Sequence, residues 1–208
     1  MKKIFTILLT VFTALTVSGQ AFEGKIVYKN TFKSKNPQIT DQQLNSMMGG
    51  IEEYFIKDGD YKSSTNGTLF QWQLYINKDN RLYNKMSNSA TVFWIDASTN
   101  PDSVLKAELN KNVTEVLGYK CDELILTCKS GTQKYYFNSK FSVDTKLFTN
   151  HKYGNWSFYL SKTNALPLKS IIDSDQFIVE NVAIEISPMK LDSKLFELPA
   201  DTKVDKSP

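Results

Sequence analysis

The chain has 208 residues, 41% of them hydrophobic, 12% aromatic and 23% charged, with a formal net charge of +3. That length fits one domain with a real core, and the charge balance excludes both a disordered tail and a surface dominated by basic residues for nucleic acid. One histidine and two cysteines leave little material for a metal or redox centre.

Met1-Lys2-Lys3 is a short positive region, and Ile4 to Val17 follow without a charge before Ser18-Gly19. This layout is that of a secretory leader, and the apolar run is too short for a spanning helix of ~20 residues. The expected cut follows Gly19, with Ala21 as the rival position, which divides the chain into a signal peptide (1–19) and a single β domain (20–208). No cysteine stands near the cut, so the chain is not expected to be a lipoprotein. Loss of Lys2 and Lys3 brings the net charge to about +1. The expected location is the periplasm or the exterior, with no transmembrane segment after cleavage.

Beyond the leader, period-two alternation dominates, as in strands with one face buried. Phe22, Ile26, Tyr28 and Phe32 share a face, opposed by Glu23, Lys25, Lys29 and Thr31. Thr40 and Gln43 form a capping box for a helix over Asp41–Met48, which Gly49-Gly50 terminate. Leu44, Met47, Met48 and Ile51 give that helix an apolar stripe. Strands are then expected at Ile51–Lys57 and Tyr61–Thr65, joined by Asp58-Gly59 in a tight hairpin turn. Phe70, Trp72, Leu74 and Ile76 alternate with Gln71, Gln73, Tyr75 and Asn77. Further strands are expected at Arg81–Met86, Val92–Asp96, Val104–Asn110, Tyr119–Cys128, Gln133–Asn138 and Leu166–Asp173. Ile178, Val182, Ile184 and Ile186 mark the last. Weaker helices are expected over Asp144–His151 and near Asn155–Leu160. Ten or so strands joined mainly by short turns make a mainly β (α+β) antiparallel meander. Curved around itself, such a sheet leaves space for a plugging helix, large side chains or an apolar guest.

Little in the sequence speaks for catalysis. His151 has no second histidine and no cysteine pair at ligand spacing, so a structural zinc site is excluded. No Gly-x-Ser-x-Gly elbow exists. Asp58-Gly59-Asp60 and Asp173-Ser174-Asp175 read as turns, and His151 as a surface or loop residue. Cys121 and Cys128 on one extended strand lie roughly 23 Å apart, far beyond disulfide reach, and on opposite faces. They are expected to be free, buried thiols.

Phe22-Glu23-Gly24-Lys25-Ile26-Val27-Tyr28, Gly118-Tyr119-Lys120-Cys121, Leu166-Pro167-Leu168 and Leu195-Phe196-Glu197-Leu198-Pro199 together resemble an exported Gram-negative family of unknown function. That family is related in outline to the periplasmic lipoprotein carriers of the LolA/LolB type. The resemblance implies a LolA-like fold: a strongly curved antiparallel sheet, an unclosed β-barrel, with a few short helices lidding an apolar concavity. It implies no catalytic residues. The early strands hold no arginine to match the carriers' lid-locking residue, so lipoprotein transport itself is not implied.

The function expected from these observations is a non-enzymatic binding or carrier protein for an apolar ligand, a lipid or acyl chain. Phe70, Trp72, Leu74 and Ile76 are expected to line the sheet side of the cavity, and Leu44, Met47 and Met48 the lid. The alternative is a cell-envelope accessory or structural protein with a filled core and a protein partner. No catalytic residue, cofactor, metal or nucleic-acid partner is expected.

Overall fold

A computed structural model describes residues 21–207, and the leader expected over residues 1–19 lies outside the described residues. The alternating runs become β1 (Gly24–Ser34), β2 (Ile51–Lys57), β3 (Asp60–Thr65), β4 (Phe70–Ile76), β5 (Arg81–Met86) and β6 (Val92–Asp96). After these come β7 (Val104–Val116), β8 (Tyr119–Cys128), β9 (Gly131–Ser142), β10 (Ala165–Asp173), β11 (Phe177–Pro188) and β12 (Val204–Lys206). They form one sheet in the order β12-β6-β5-β4-β3-β2-β1-β11-β10-β9-β8-β7. Every pairing is antiparallel except that of β12 with β6. The chain is mainly β, a large curved sheet not closed into a barrel, with few short helices.

Two hairpins are built on the same backbone solution. Asp58 and Gly59 have φ of 48° and 89°, and Leu117 and Gly118 have φ of 50° and 80°, the two positive values a type I′ turn requires. The second hairpin extends β7 to Val116, beyond the expected end at Asn110. The extension survives an irregular stretch because Asp122 accepts a hydrogen bond from the Asn112 amide at 3.0 Å, which holds Asn112 at φ 53°.

Helix α1 (Asp41–Met48) forms with both halves of its capping box. It lies beside β1 where β2 has ended. Asn45 substitutes there for a strand neighbour: its Oδ1 accepts from the Phe32 amide at 2.9 Å, and its Nδ2 donates to the Phe32 carbonyl at 2.8 Å. The expected helix over Asp144–His151 is a 3₁₀ turn, Thr145–Phe148, with Asp144 as its cap. A second turn, Tyr153–Asn155, leads into α2 (Trp156–Thr163).

The main core lies on the concave face. There Ile26, Tyr28, Ile56, Tyr61, Tyr75 and Leu82 of one half of the sheet meet Leu124, Leu126, Tyr135, Phe137, Leu166 and Leu168 of the other. Phe148, Tyr159 and Leu160 of the 145–163 segment sit between them. This segment plugs the sheet, and burial of each such side chain contributes about 1.5–3 kcal/mol. A second core occupies the convex face of β4, β5 and β6, where Leu74, Tyr83 and Val92 pack on Phe196. Phe196 belongs to a 3₁₀ turn, Ser193–Phe196, in the returning C-terminal segment. Glu23 anchors that segment by accepting from the Leu191 amide at 2.8 Å and pairing with Lys190.

Alternation in β11 is reset by a bulge opposite Val27/Tyr28. Ala183 is therefore the buried residue at 2% exposure, and Ile184, expected inside, is 47% exposed.

Candidate functional site

The residues expected to form a cavity fall in different places. Leu74 and Tyr75 are both buried, but Leu74 belongs to the convex core and Tyr75 to the concave one. Trp72 and Ile76 follow Leu74 under the C-terminal segment. The alternation in β4 is real, yet its more apolar face points outward because the tail covers it. Leu44 is buried and Met47 and Met48 are half-buried in α1. Of the four β4 residues, Phe70 starts near them, since the Leu69 amide donates to the Met47 carbonyl at 3.0 Å. The element packed over the concave face is the 145–163 segment, and α1 lies along the edge of β1.

On the concave face a polar row runs across five adjacent strands. Glu52 of β2 accepts from Ser63 Oγ of β3 at 2.5 Å and from Asn30 Nδ2 of β1 at 3.2 Å. Asn30 Oδ1 accepts from Asn181 of β11 at 2.6 Å, and Asn181 Oδ1 accepts from Ser170 of β10 at 3.1 Å. Cross-strand register places Asn30 opposite Asn181 and Asn181 opposite Ser170. Asn30 and Ser63 are buried, so these bonds satisfy groups that would otherwise be costly to desolvate. Among the described residues no lysine or arginine forms an ion pair with Glu52.

Next to this row is a pocket of about 200 Å³, walled by Tyr28, Tyr54, Tyr135, Trp156, Pro167 and Ile172, with Glu52, Ser170 and Asn181 at its polar side. Tyr28 donates its hydroxyl to the Pro167 carbonyl at 2.7 Å, and Tyr135 donates to Gln133 at 3.1 Å. Tyr54 Oη and Trp156 Nε1 are buried without any hydrogen-bond partner. Burial pushes the Tyr28, Tyr54 and Tyr135 hydroxyls well above the usual phenol range, so all three stay neutral. A larger groove of about 610 Å³ opens near the unclosed seam, beside Asn100, Val104 and Phe158. Neither Tyr54 nor Trp156 lines that groove.

His151, expected as a surface or loop residue, is 2% exposed. It does occupy a connection, but that connection is part of the plug. Its ring lies 4.2 Å from Tyr75 and stacks on Tyr61, whose hydroxyl meets Nε2 at 2.8 Å. Burial pulls its pKa down from 6.5 to about 4, so the imidazole is neutral at pH 7. Nδ1 has no partner.

Cys121 and Cys128 are free and buried, as expected. Both belong to the concave core, whereas strict alternation would have put them on opposite faces. The irregular pairing of β7 with β8 between Asn110 and Thr114 breaks the alternation near Cys121. Burial pushes the Cys128 thiol up to about 11, which suppresses the reactive thiolate. No group of three or more histidine, cysteine or acidic residues that could hold a metal exists among the described residues. No helix among them is long and apolar enough to cross a membrane.

A sequence signal for the pocket does exist. Tyr28-x-Asn30, Glu52-x-Tyr54, Tyr61-x-Ser63 and Gln73-x-Tyr75 each place a tyrosine and a polar residue two apart, hence on one face. Ranking faces by hydrophobicity alone passes over it. No protein-family model matches the chain, and no curated protein does.

Proposed function

We propose that the chain is an exported, non-enzymatic binding or carrier protein that takes a small apolar ligand, or the apolar end of a larger one, into the pocket between Tyr54 and Trp156. The observation that carries this reading is that Tyr54 and Trp156, whose buried Oη and Nε1 have no hydrogen-bond partner, both line one pocket. Each such group costs about 1–3 kcal/mol, and a ligand with a hydrogen-bonding end relieves that cost. An indole N–H only donates, so the ligand presents an acceptor to Trp156. Glu52 and Asn181 can receive a hydroxyl or ammonium at the polar side. Roughly seven water-sized groups fill 200 Å³, which suits one ring or a short chain. Export is supported by the leader pattern over residues 1–19 and by the resemblance to an exported family of unknown function.

Calorimetric titration with short-chain and aromatic alcohols and amines tests the proposal. Saturable binding is expected in the wild type, weakened at least ~10-fold by Tyr54→Phe and by Trp156→Phe, with far-UV dichroism unchanged. Absence of saturable heat with every compound, together with absence of a co-purified small molecule in native mass spectra, overturns it.

A second reading, an envelope accessory or structural protein with a protein partner, is favoured by one observation. Phe148, Tyr159 and Leu160 already fill much of the concave face. It replaces the first if the pocket proves empty and inert.

A further inference from the structure

The outer edge of β7 gathers exposed apolar side chains. Leu105, Leu109, Val113 and Leu117 lie on this strand or its turn, with Leu105 at 66% exposure. Among the described residues no strand pairs with that edge. A row of bare backbone donors and acceptors along a strand is a template for another strand.

The segment Leu105-Lys106-Ala107-Glu108-Leu109 reads the same in both directions once the charges are exchanged. Lys106 and Glu108 stand opposite Thr127 and Ile125 of β8, one face of the sheet. Their side chains are largely exposed and 2.8 Å apart. We propose that the β7 edge pairs antiparallel with the β7 edge of a second copy of this chain, about a twofold axis through Ala107.

In that register Lys106 of each copy faces Glu108 of the other, and Leu105 faces Leu109, each pair occurring twice. Opposite charges and apolar pairs across strands are favourable, and like charges directly opposite are not. The faces of the two sheets can be continuous only if the register changes in steps of two. One step in one direction puts Lys106 against Lys106, and one step in the other puts Glu108 against Glu108. The charge pattern therefore selects one register. The pairing has natural ends: β7 begins at Val104, and its pairing with β8 becomes irregular beyond Asn110. Val104 and Asn110 are opposite one another in the dimer. A bulge between Val104 and Lys106 takes Leu105 out of step with β8, and its exposed side chain is the one the second copy covers. Such an interface is small, in the class of weak, transient contacts, so dimerisation is weak.

Charge reversal tests the register, measured by sedimentation equilibrium on the mature chain. The wild type is expected to be in monomer–dimer equilibrium. Lys106→Glu and Glu108→Lys are each expected to weaken it at least ~10-fold, by placing like charges opposite one another. An equimolar mixture of the two variants forms a heterodimer, and the double variant K106E/E108K dimerises like the wild type. Unchanged denaturation curves confirm that each variant is folded. A wild type that stays monomeric up to ~1 mM overturns the proposal. So does a dimer indifferent to both reversals, a failure of the double variant to restore it, or growth into assemblies larger than a dimer.

Discussion

The two wings of the sheet are finished differently. In β2–β6 both faces are covered, the concave one by the 145–163 plug and the convex one by the C-terminal segment around Phe196. The edge of β6 is covered too, because β12 pairs with it. In β7–β10 only the concave face is packed, and the β7 edge has no strand beside it among the described residues. The same backbone chemistry therefore gives a sealed wing and an open one. Tolerance to substitution should follow that division, and the open wing is where a partner strand has room.

The largest contrast is expected in the sealed wing. Phe196 is 5% exposed and packs with Leu74, Tyr83 and Val92. Phe196→Ala should lower the unfolding free energy by about 3–5 kcal/mol, read from a shift of the urea midpoint. A loss below ~1 kcal/mol would mean that the tail does not seal the convex face.

His151 gives the next effect, and it depends on pH. Its pKa in the folded chain, about 4, lies below the usual 6.5. Between those values the unfolded chain binds more protons than the folded one, so stability falls as pH drops. The contribution is complete above about 6.5 and is lost on approach to 4. At ~1.36 kcal/mol per unit the total is about 3 kcal/mol. His151→Gln should flatten that limb of the stability profile relative to the wild type, measured by urea denaturation from pH 7 to pH 4. Parallel profiles would place the imidazole in water.

The two type I′ hairpins share a backbone conformation and differ in surroundings. A Cβ on Gly59 would stand 2.8 Å from Leu147 Cβ and 2.9 Å from Asn77 Nδ2, whereas one on Gly118 meets nothing within 4 Å. Both positions strain any L-residue at positive φ, by about 1 kcal/mol or more. Gly118→Ala should cost about that, and Gly59→Ala about 1–2 kcal/mol more, from the forced shift of the plug. Equal costs would show that the 145–163 segment yields freely.

Local chemistry made much of this fold readable in advance. The Thr40–Gln43 capping box and the Asp58-Gly59 turn act within a few residues, and both are found where the sequence places them. Strand β2 likewise matches its expected ends. What was not readable depends on distant segments. Nothing near β4 says that residues 191–198 will cover its Leu74 face, and hydrophobicity alone marks that face as the one turned to a cavity. His151 sits in a connection with no periodicity, and its burial follows from the curvature of strands far along the chain. The bulge in β11 that exchanges Ala183 for Ile184 comes from pairing with β1. The pocket lies between the two levels: single strands carry its pairs of a tyrosine and a polar residue, but its polar row exists only once five strands are side by side.

The smallest expected effect is on the open wing. Leu105 is a large apolar residue in a strand, where a scale based on composition would predict a substantial loss on substitution. Its side chain is instead mostly in water, so replacing it removes little buried area, and little cavity can form. A β-branched polar residue also keeps the strand preference of the position. Leu105→Thr should therefore change the unfolding free energy by no more than ~0.5 kcal/mol in either direction. The measurement must be made at high dilution, where pairing through β7 contributes nothing by mass action. At high concentration the same substitution should lower the midpoint more, because it removes an apolar contact that only the paired state makes. A loss above ~1 kcal/mol at high dilution would show that Leu105 is covered within the single chain, and the open wing would then be closed by its own residues.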